Sequence, residues 1–197
     1  MCLLIESIRL KNNKLINIPL HNERMDRSRR ELFGCDDTIN LLDIIHLEKE
    51  YQGLHKVRVT YDKIIHKIEI DPYQRRKVIK LKIVTDNNID YTYKYADKTM
   101  LTKHLTEEGY DVLISKNGKI TDTSFSNVAL FDGKFWYTPA HPLLKGTMRS
   151  FLINNGKIIE NVILTTDLKK FSKIRLINAF NGFEEPFELD VEADIEL

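Results

Sequence analysis

Along the first half of the chain, alternating apolar and polar residues predict strands at both ends with helices between them. Asn12-Asn13 is a turn signal that predicts a hairpin after the opening strand. Apolar residues then recur at helical spacing in two segments, which end at Gly34 and Gly53. In chain order, the predicted elements are strand 2–9, return strand 14–18, helices 21–32 and 38–51, and strands 56–61, 63–70 and 77–85.

Turn residues divide the second half into short elements. Asp86-Asn87-Asn88 is a polar break and a predicted lobe boundary, and Asn117-Gly118 is the strongest short hairpin signal in the chain. The predicted elements are helix 97–108, strand 111–115, strands 126–131 and 134–138, helix 147–154, a short helix at 168–171 and strand 173–178. Hairpins are more evident than βαβ crossovers, so the predicted class is α+β.

Composition then excludes several classes of function. The 197 residues include 30 basic and 29 acidic side chains, a balance that argues against a nucleic-acid or membrane-surface protein. Two cysteines without CxxC spacing predict a reducing compartment and no cysteine metal site. No apolar run approaches the roughly 20 residues of a membrane span, and the opening residues do not read as a signal peptide. We therefore expect a cytoplasmic protein that holds no metal.

Lys94 is the first candidate for chemistry. It follows the alternating stretch 89–93, where strand geometry would place it on one face with Thr92. A lysine that attacks a carbonyl must be partly desolvated so that its amine is free, and Tyr93 and Tyr95 are compatible with that environment. Taken alone, these residues favour a solvent-facing lysine.

A second candidate segment follows the Asn117-Gly118 hairpin. Asp122, small hydroxyl residues and Asn127 form a polar set that suits a polar ring, and Asp122 could pair with a protonated pyridine nitrogen. An ordinary polar loop is the simpler interpretation of this segment by itself.

Two further segments suit an anion. Gly146 precedes Thr147 and Met148 at the predicted start of a helix, where exposed backbone N–H groups and the helix dipole favour negative charge. Arg24 on the first helix can give two parallel hydrogen bonds to a phosphate. An ordinary helix start is the alternative for Gly146. The remaining arginines of the first helix are expected to lie on a solvated face, namely Arg27, Arg29 and Arg30.

In this order, the segments resemble the class IV pyridoxal-phosphate (PLP) aminotransferases, which include branched-chain and D-amino-acid aminotransferases and 4-amino-4-deoxychorismate lyase. The opening strand resembles the one that holds the family's "FET" sequence. The segments that carry the resemblance are 4–8, His21-x-x-Arg24, Lys94, 120–127, Tyr137-Thr138-Pro139 and 144–149. Each motif is weak alone, but together their order and spacing are fairly specific.

The resemblance implies a two-lobed fold like that of D-amino-acid aminotransferase, with a small α/β lobe at 1–86, shortened here, and a larger cofactor-binding lobe at 87–197. It implies PLP as cofactor and a homodimer as the assembly. Lys94 matches the Schiff-base lysine that also moves the substrate proton. The matching cofactor-binding positions are Arg24, Thr147 and Met148 after Gly146 for the phosphate, Asp122 for the pyridine nitrogen, and Asn127 as support.

The sequence departs from the family pattern at three points, of which the short first lobe concerns the substrate pocket more than the cofactor site. Asp122 stands where the family usually has Glu, Thr99 stands where branched-chain enzymes have Tyr, and the first lobe is short. Within the family the lyase is nearest, because 174–183 resembles an Asn-Ala segment of lyase-like members. Arg58 could meet the carboxylate of a small amino substrate, although a strand-edge salt bridge is an equal alternative. Transamination of a D- or branched-chain amino acid, or a non-catalytic binding role, remain the rival functions.

Overall fold

The computed structural model describes residues 2–105, 107–184 and 187–196. By contacts the chain divides into two compact units, one comprising residues 1–75 and 93–97 and the other residues 76–92 and 98–197. The elements of the first unit are β1 (Leu4–Lys11), β2 (Lys14–Leu15), α1 (Ile18–Phe33), α2 (Leu41–Ile44), β3 (Leu54–Tyr61) and β4 (Ile65–Pro72).

The second unit contains the remaining elements. Its strands are β5 (Lys80–Thr85), β6 (Tyr110–Lys116), β7 (Lys119–Thr123), β8 (Asn127–Phe131), β9 (Trp136–Pro139), β10 (Ile159–Asn161), β11 (Lys173–Ile177), β12 (Glu188–Asp190) and β13 (Ile195–Glu196). Its helices are α3 (Thr99–Thr102), α4 (Thr147–Asn154), a 3₁₀ helix (Thr165–Lys170) and α5 (Val191–Asp194).

In the first unit, four antiparallel strands in the order β2-β1-β3-β4 carry α1 on one face. Alternate residues of β1 and β3 point to that helix, so Leu4, Ile8, Val57 and Val59 are fully buried together. Helix α1 ends at Gly34, whose φ of 67° lets its N–H return to the last turn. The apolar face of α1 is thereby packed against the sheet.

Residues 93–97 return to the first unit and add to its sheet beside β1. Tyr95 pairs antiparallel with Leu4, the N–H of Ile5 donates to the carbonyl of Lys94 at 2.9 Å, and the N–H of Ala96 donates to Leu3 at 2.8 Å. This short pairing fixes Lys94 beside the first strand of the chain.

In the second unit, strands in the order β10-β9-β8-β7-β6-β5-β13 form one sheet, which β11 and β12 extend from β8. Strands β5 and β6 are parallel, and the hairpins β6–β7 and β8–β9 are antiparallel. The strands enclose a core that includes Leu81, Leu113 and Leu130, all fully buried. The predicted α+β class is confirmed, and the predicted helix 147–154 agrees with α4.

Two predicted helices were wrong in extent. Within 38–51 only Leu41–Ile44 is helical, and within 97–108 only Thr99–Thr102 among the described residues. Between α2 and β3 the backbone has no regular secondary structure, yet Leu47 and Tyr51 still pack on the core, and the N–H of Tyr51 donates to the side chain of Asn13 at 2.6 Å. Tertiary contacts therefore override the helical spacing of the apolar residues.

The expected strand character of 89–93 was also wrong, because the segment is bent and pairs with no strand among the described residues. The predicted lobe boundary after residue 86 lies beyond the observed division after residue 75, since β5 pairs with β6 of the second unit. None of the helices described here is both long enough and apolar enough to cross a membrane.

Leu113 lies at the centre of the second unit's core and makes a direct test of that core. We expect Leu113→Ala to lower the free energy of unfolding by about 3 kcal/mol, because the cavity adds to the lost burial. Leu164→Ala, at a leucine that is 40% exposed in the same unit, serves as the matched control and should cost about 1 kcal/mol or less. Urea denaturation measures both, and equal losses would contradict the described packing.

Candidate active site

A buried carboxylate organises the polar groups of the first unit. Glu6 is completely buried on the core face of β1, where it meets His21 and Arg24 of α1. The Nε of Arg24 donates to Oε1 of Glu6 at 2.9 Å and its Nη2 donates to Oε2 at 2.5 Å. The Nδ1 of His21 lies 2.6 Å from Oε2. This bidentate pairing holds the plane of the guanidinium in one orientation.

The charges in this cluster are set by burial and by neighbouring groups. Burial alone would raise the pKa of Glu6, but the charge of Arg24 and the hydrogen bond to His21 outweigh it and lower the pKa to about 2. Burial lowers the pKa of His21, and the positive charges of Arg24 and Lys94 lower it further, although Glu6 acts in the opposite direction. At neutral pH Glu6 is therefore ionised and His21 neutral, with its proton on Nδ1 facing the carboxylate.

Sequence reasoning proposed Arg24 but missed its two partners. The signal for Glu6 was its position in β1, because it falls on the same face as the buried Leu4 and Ile8. The signal for His21 was its place one helical turn before Arg24. The expectation for Arg29 was wrong, since it is buried and its Nη2 donates to Asp37 at 2.9 Å and to the carbonyl of Lys63 at 2.8 Å.

Lys94 occupies the apex of a tight turn. The N–H of Tyr95 donates to the carbonyl of Tyr93 at 3.0 Å, an i to i+2 hydrogen bond that encloses Lys94. The rings of Tyr93 and Tyr95 meet edge to face at 6.1 Å and both pack against the core of the first unit. Because its two neighbours point into that core, Lys94 projects from the opposite side of the segment. Its influence on the pKa of His21 shows that its ammonium lies within electrostatic reach of the Glu6 cluster.

Arg58 leaves β3 on the side of the sheet that α1 does not cover. Its neighbours Val57 and Val59 are both in the core, so alternation places Arg58 on the other face, opposite Ser7 of β1. The cross-strand neighbour on β4 is Glu69, but Nζ of Lys67 already pairs with that carboxylate at 2.6 Å. Arg58 is half-buried.

In the second unit, Asp122 and Asn127 face each other across the β7–β8 hairpin. Both are buried, and Nδ2 of Asn127 donates to Oδ1 of Asp122 at 2.8 Å. The same Nδ2 donates to the carbonyl of Leu144 at 2.8 Å, and the N–H of Leu144 donates to Oδ2 of Asp122 at 2.9 Å. Burial raises the pKa of Asp122 to about 6, against the opposing effect of these donors.

The start of α4 lies directly after this set. Gly146 precedes the helix, and a Cβ there would lie 2.0 Å from Oδ1 of Asn127, so only glycine fits. No side chain caps the helix, and Thr147 and Met148 in its first turn are buried. The sequence-predicted residues of the second unit are therefore brought together, from Asp122 through Asn127 to Met148.

A turn at 178–181 completes this part of the second unit and was not predicted as part of the site. Nδ2 of Asn178 donates to Oγ of Ser126 at 2.8 Å, and its Oδ1 accepts from the N–H groups of Phe180 and Asn181. A Cβ on Gly182 would meet Cε of Met148 at 3.3 Å. The pairing of β11 with β8 brings this turn beside the hairpin, a tertiary contact that local sequence does not signal.

The residues present fit a phosphate-bearing aldehyde. In the first unit, Lys94 supplies an amine within electrostatic reach of His21, and Glu6 holds the buried Arg24 in place. In the second, the residue before α4 is a glycine with no side chain to cap the helix, so the first backbone N–H groups of α4 are the part of this unit that suits an anion. No group of metal-ligating side chains occurs among the residues that the structure describes.

The Glu6 cluster predicts a specific dependence of stability on pH. Since the pKa of Glu6 falls from 4.5 to about 2 on folding, its contribution is complete above pH 4.5 and is lost as the pH falls toward 2. We expect Glu6→Gln to cost roughly 3–5 kcal/mol at pH 7, because Arg24 then lacks its counter-ion, and to flatten the pH profile in that window. Denaturation at pH 7 and pH 3 tests this.

Glu23→Gln changes an exposed glutamate of the same helix and is the matched control. Its free energy of unfolding should stay within about 0.5 kcal/mol of the wild type. A Glu6→Gln variant that is as stable as this control, with an unaltered acid profile, would contradict the assigned pairing.

Three known proteins resemble this chain over most of its length. An uncharacterized protein of Haemophilus influenzae is 37% identical over 184 residues, which cover 91% of this chain and 98% of that protein. A crystal structure from Haemophilus somnus 129pt, of a "putative 4-amino-4-deoxychorismate lyase", is 31% identical with a TM-score of 0.86, over 93% of this chain and 98% of its own. A "putative aminodeoxychorismate lyase" of Schizosaccharomyces pombe is 30% identical over 164 residues, 79% of this chain and 64% of that protein.

The likeness to the Haemophilus somnus structure extends over nearly the whole of both chains, which confirms the expected fold. The model of the family described as amino-transferase class IV, whose enzymes depend on PLP, matches residues 3–183, a range that contains every candidate residue above. The order of motifs found in the sequence and the match of this family model lead to one assignment: the chain belongs to the class IV aminotransferases.

Proposed function

We propose that the protein is a PLP-dependent aminodeoxychorismate lyase, which converts 4-amino-4-deoxychorismate into 4-aminobenzoate and pyruvate. The family and the names of the two lyase-like relatives support the general chemistry. The observation that carries the specific proposal is that Lys94 and Arg58 leave the first unit's sheet on the same side, separated by the width of two strands.

Lys94 is the proposed anchor of the cofactor. Its backbone is fixed by the hydrogen bond from Ile5 and by the tight turn between Tyr93 and Tyr95, so the side chain starts from a rigid point. The amine lies within electrostatic reach of His21. Attack on an aldehyde requires the neutral, nucleophilic form of a lysine.

When bound, PLP supplies an electron sink for the negative charge that develops beside the substrate nitrogen. The chain's own groups have separate tasks. Lys94 holds the aldehyde carbon and, once released, moves the proton at the substrate carbon that bears the amine. In the first unit Arg24 offers a fixed guanidinium, a group that suits a phosphate, and in the second unit the start of α4 offers backbone N–H groups that suit an anion.

Arg58 is the proposed partner of a substrate carboxylate. Among the described residues its guanidinium takes part in no hydrogen bond or ion pair, although the charge of Glu69, which Lys67 pairs with, acts on it at longer range. A half-buried guanidinium with no fixed partner is available to a ligand carboxylate. Lys56 and Arg9 lie on the same face in the next register row, and with Lys67 these cations outnumber the carboxylates of Glu69 and Asp71 on this side of the sheet.

The separation of Lys94 and Arg58 favours the lyase substrate over an α-amino acid. Lys94 pairs beside Ile5 at one edge of β1, whereas Arg58 lies on β3, which is about 10 Å away across two strand spacings. In an α-amino acid, the amine and carboxylate share one carbon. In aminodeoxychorismate the ring carboxylate lies across a six-membered ring from the amine, and the second carboxylate adds to the negative charge. A cation at a distance from the lysine suits that spacing.

Substitution of Lys94 tests the cofactor chemistry. We expect the purified wild-type protein to be yellow, and borohydride reduction followed by peptide mapping to place the label on Lys94. Lys94→Ala should lose the chromophore and about 10⁴-fold or more of the activity, because the proton-transfer group goes with the anchor. Lys157→Ala, at an exposed lysine of the second unit, is the control and should retain both. A label on another lysine would refute the assignment.

Substitution of Arg58 tests the substrate. With aminodeoxychorismate as substrate and 4-aminobenzoate as the measured product, Arg58→Ala should lower kcat/KM about ten- to hundredfold, mainly through KM, since one charged hydrogen bond is lost. PLP absorbance should stay the same. Arg30→Ala, at an exposed arginine of α1, is the matched control.

The reaction products separate the two family chemistries. Formation of 4-aminobenzoate and pyruvate supports the lyase. Keto-acid formation from D- or branched-chain amino donors, without 4-aminobenzoate, would replace the proposal with transamination.

A further inference from the structure

Asp122 has a second structural role that the resemblance does not supply. The family pattern assigns its carboxylate to the pyridine nitrogen of the cofactor. In this chain both of its oxygens already accept hydrogen bonds from the protein, Oδ1 from Asn127 and Oδ2 from the N–H of Leu144. The carboxylate is therefore engaged by residues that precede α4.

The segment at 140–146 depends on these contacts for its position. Residues 141–146 contain no regular secondary structure between β9 and α4, and the ladder of backbone hydrogen bonds from β9 ends at Ala140, whose N–H donates to the carbonyl of Asn161 at 2.8 Å. Leu144 is held through both backbone groups, its N–H by Asp122 and its carbonyl by Nδ2 of Asn127. The β7–β8 hairpin closes tightly, with the N–H of Thr123 donating to Ser126 at 2.8 Å, and so presents the two side chains as a rigid pair.

Two residues after Leu144, the same pair defines the start of the helix. Oδ1 of Asn127 occupies the space beside Gly146, where a Cβ would lie 2.0 Å away. Gly146 in turn accepts the N–H of Ser150, the first helical hydrogen bond of α4, at 2.9 Å. One buried carboxylate and one buried amide thus set the backbone from Leu144 through Gly146.

We infer that Asp122 is a positioning residue for the phosphate end of the cofactor: with Asn127 it fixes 144–146 and thereby places the first turn of α4. The inference rests on the proposed function in so far as α4 is the phosphate site. The shorter side chain of Asp, in place of the usual Glu, is consistent with this role because it keeps the carboxylate close to its own hairpin and to Leu144.

Hydrogen exchange in the cofactor-free protein tests the contacts of Asp122 and Asn127 with Leu144 without any ligand. In Asp122→Asn, the new side-chain amide cannot accept hydrogen bonds from both Asn127 and Leu144 as the carboxylate does. The N–H of Leu144 should therefore exchange about tenfold faster or more, whereas the exchange rate of the Thr123 N–H should not change. The double variant Asp122→Asn with Asn127→Asp restores an amide–carboxylate pair but removes the donor to the carbonyl of Leu144, so it should recover part of the protection of Leu144. Unchanged exchange of Leu144 in Asp122→Asn would overturn the inference.

Binding of PLP and of pyridoxal, which lacks the phosphate, tests the consequence for the site. A positioning role predicts that Asp122→Asn weakens the binding of PLP about tenfold more than the binding of pyridoxal. The double variant should recover part of this difference. If Asp122 only pairs with the ring nitrogen, its substitution should weaken the binding of PLP and of pyridoxal equally. Moving the carboxylate to position 127 would then restore neither affinity, and this result would overturn the inference.

Asp132→Asn is the matched control, because Asp132 is an exposed carboxylate of the same unit that also accepts two backbone N–H groups, from Lys134 and Phe135. It should leave both measurements unchanged, and effects equal to those of Asp122→Asn would overturn the inference. If the wild-type protein binds no PLP, the proposed function fails. The exchange rate of the Leu144 amide still decides whether Asp122 and Asn127 fix residues 144–146.

Discussion

A carboxylate withdrawn from water must find enough partners to offset its desolvation, and each unit of this protein has a polar centre built around one such group. In the first unit a full positive charge, Arg24, compensates Glu6, which stays ionised far below its ordinary pKa. In the second, the hydrogen-bond donors to Asp122 are neutral, and burial prevails over them and over the charge of Arg149. The same chemical group thus has opposite titration behaviour in the two units, because Glu6 forms a direct ion pair with Arg24 whereas the hydrogen-bond partners of Asp122 carry no charge.

The two buried carboxylates also hold different parts of the protein in place. The ion pair with Glu6 holds the guanidinium of Arg24 in one orientation. The two charges cancel overall, but the positive end of the pair keeps a fixed direction. The set around Asp122 orients backbone instead, since its donors are an amide side chain and a peptide N–H. One polar centre therefore fixes the orientation of a side chain, and the other fixes the position of a backbone segment.

Local signals allowed much of the fold to be predicted from the sequence. The hairpin at Asn117-Gly118 and helix α4 before Asn155-Gly156 depend on residues within a few positions, and both were predicted well. The segments at 38–51 and 89–93 were not, because their backbones are satisfied by distant groups, such as the side chain of Asn13 for the N–H of Tyr51. Periodicity alone carries no information about such partners.

The candidate site shows the same limit. Spacing and order identified Lys94, Asp122 and Gly146, since each belongs to a short motif. Glu6 was noticed only as part of a strand motif, although its position between buried leucine and isoleucine residues placed a charge on an apolar face. Its partners lie on a different element, so their identity required the packing of α1 on the sheet.

The route of the chain through its two units has a consequence for how the protein can be divided. Residues 93–97 belong to the first unit although residues 76–92 and 98–197 belong to the second. A fragment that stopped at residue 75 would lack the strand that pairs with Leu3 and Ile5, and Lys94 with it. Neither unit can therefore be produced as one continuous fragment that contains all of its residues. Insertions within residues 93–97 would disturb the first unit as much as insertions within α1.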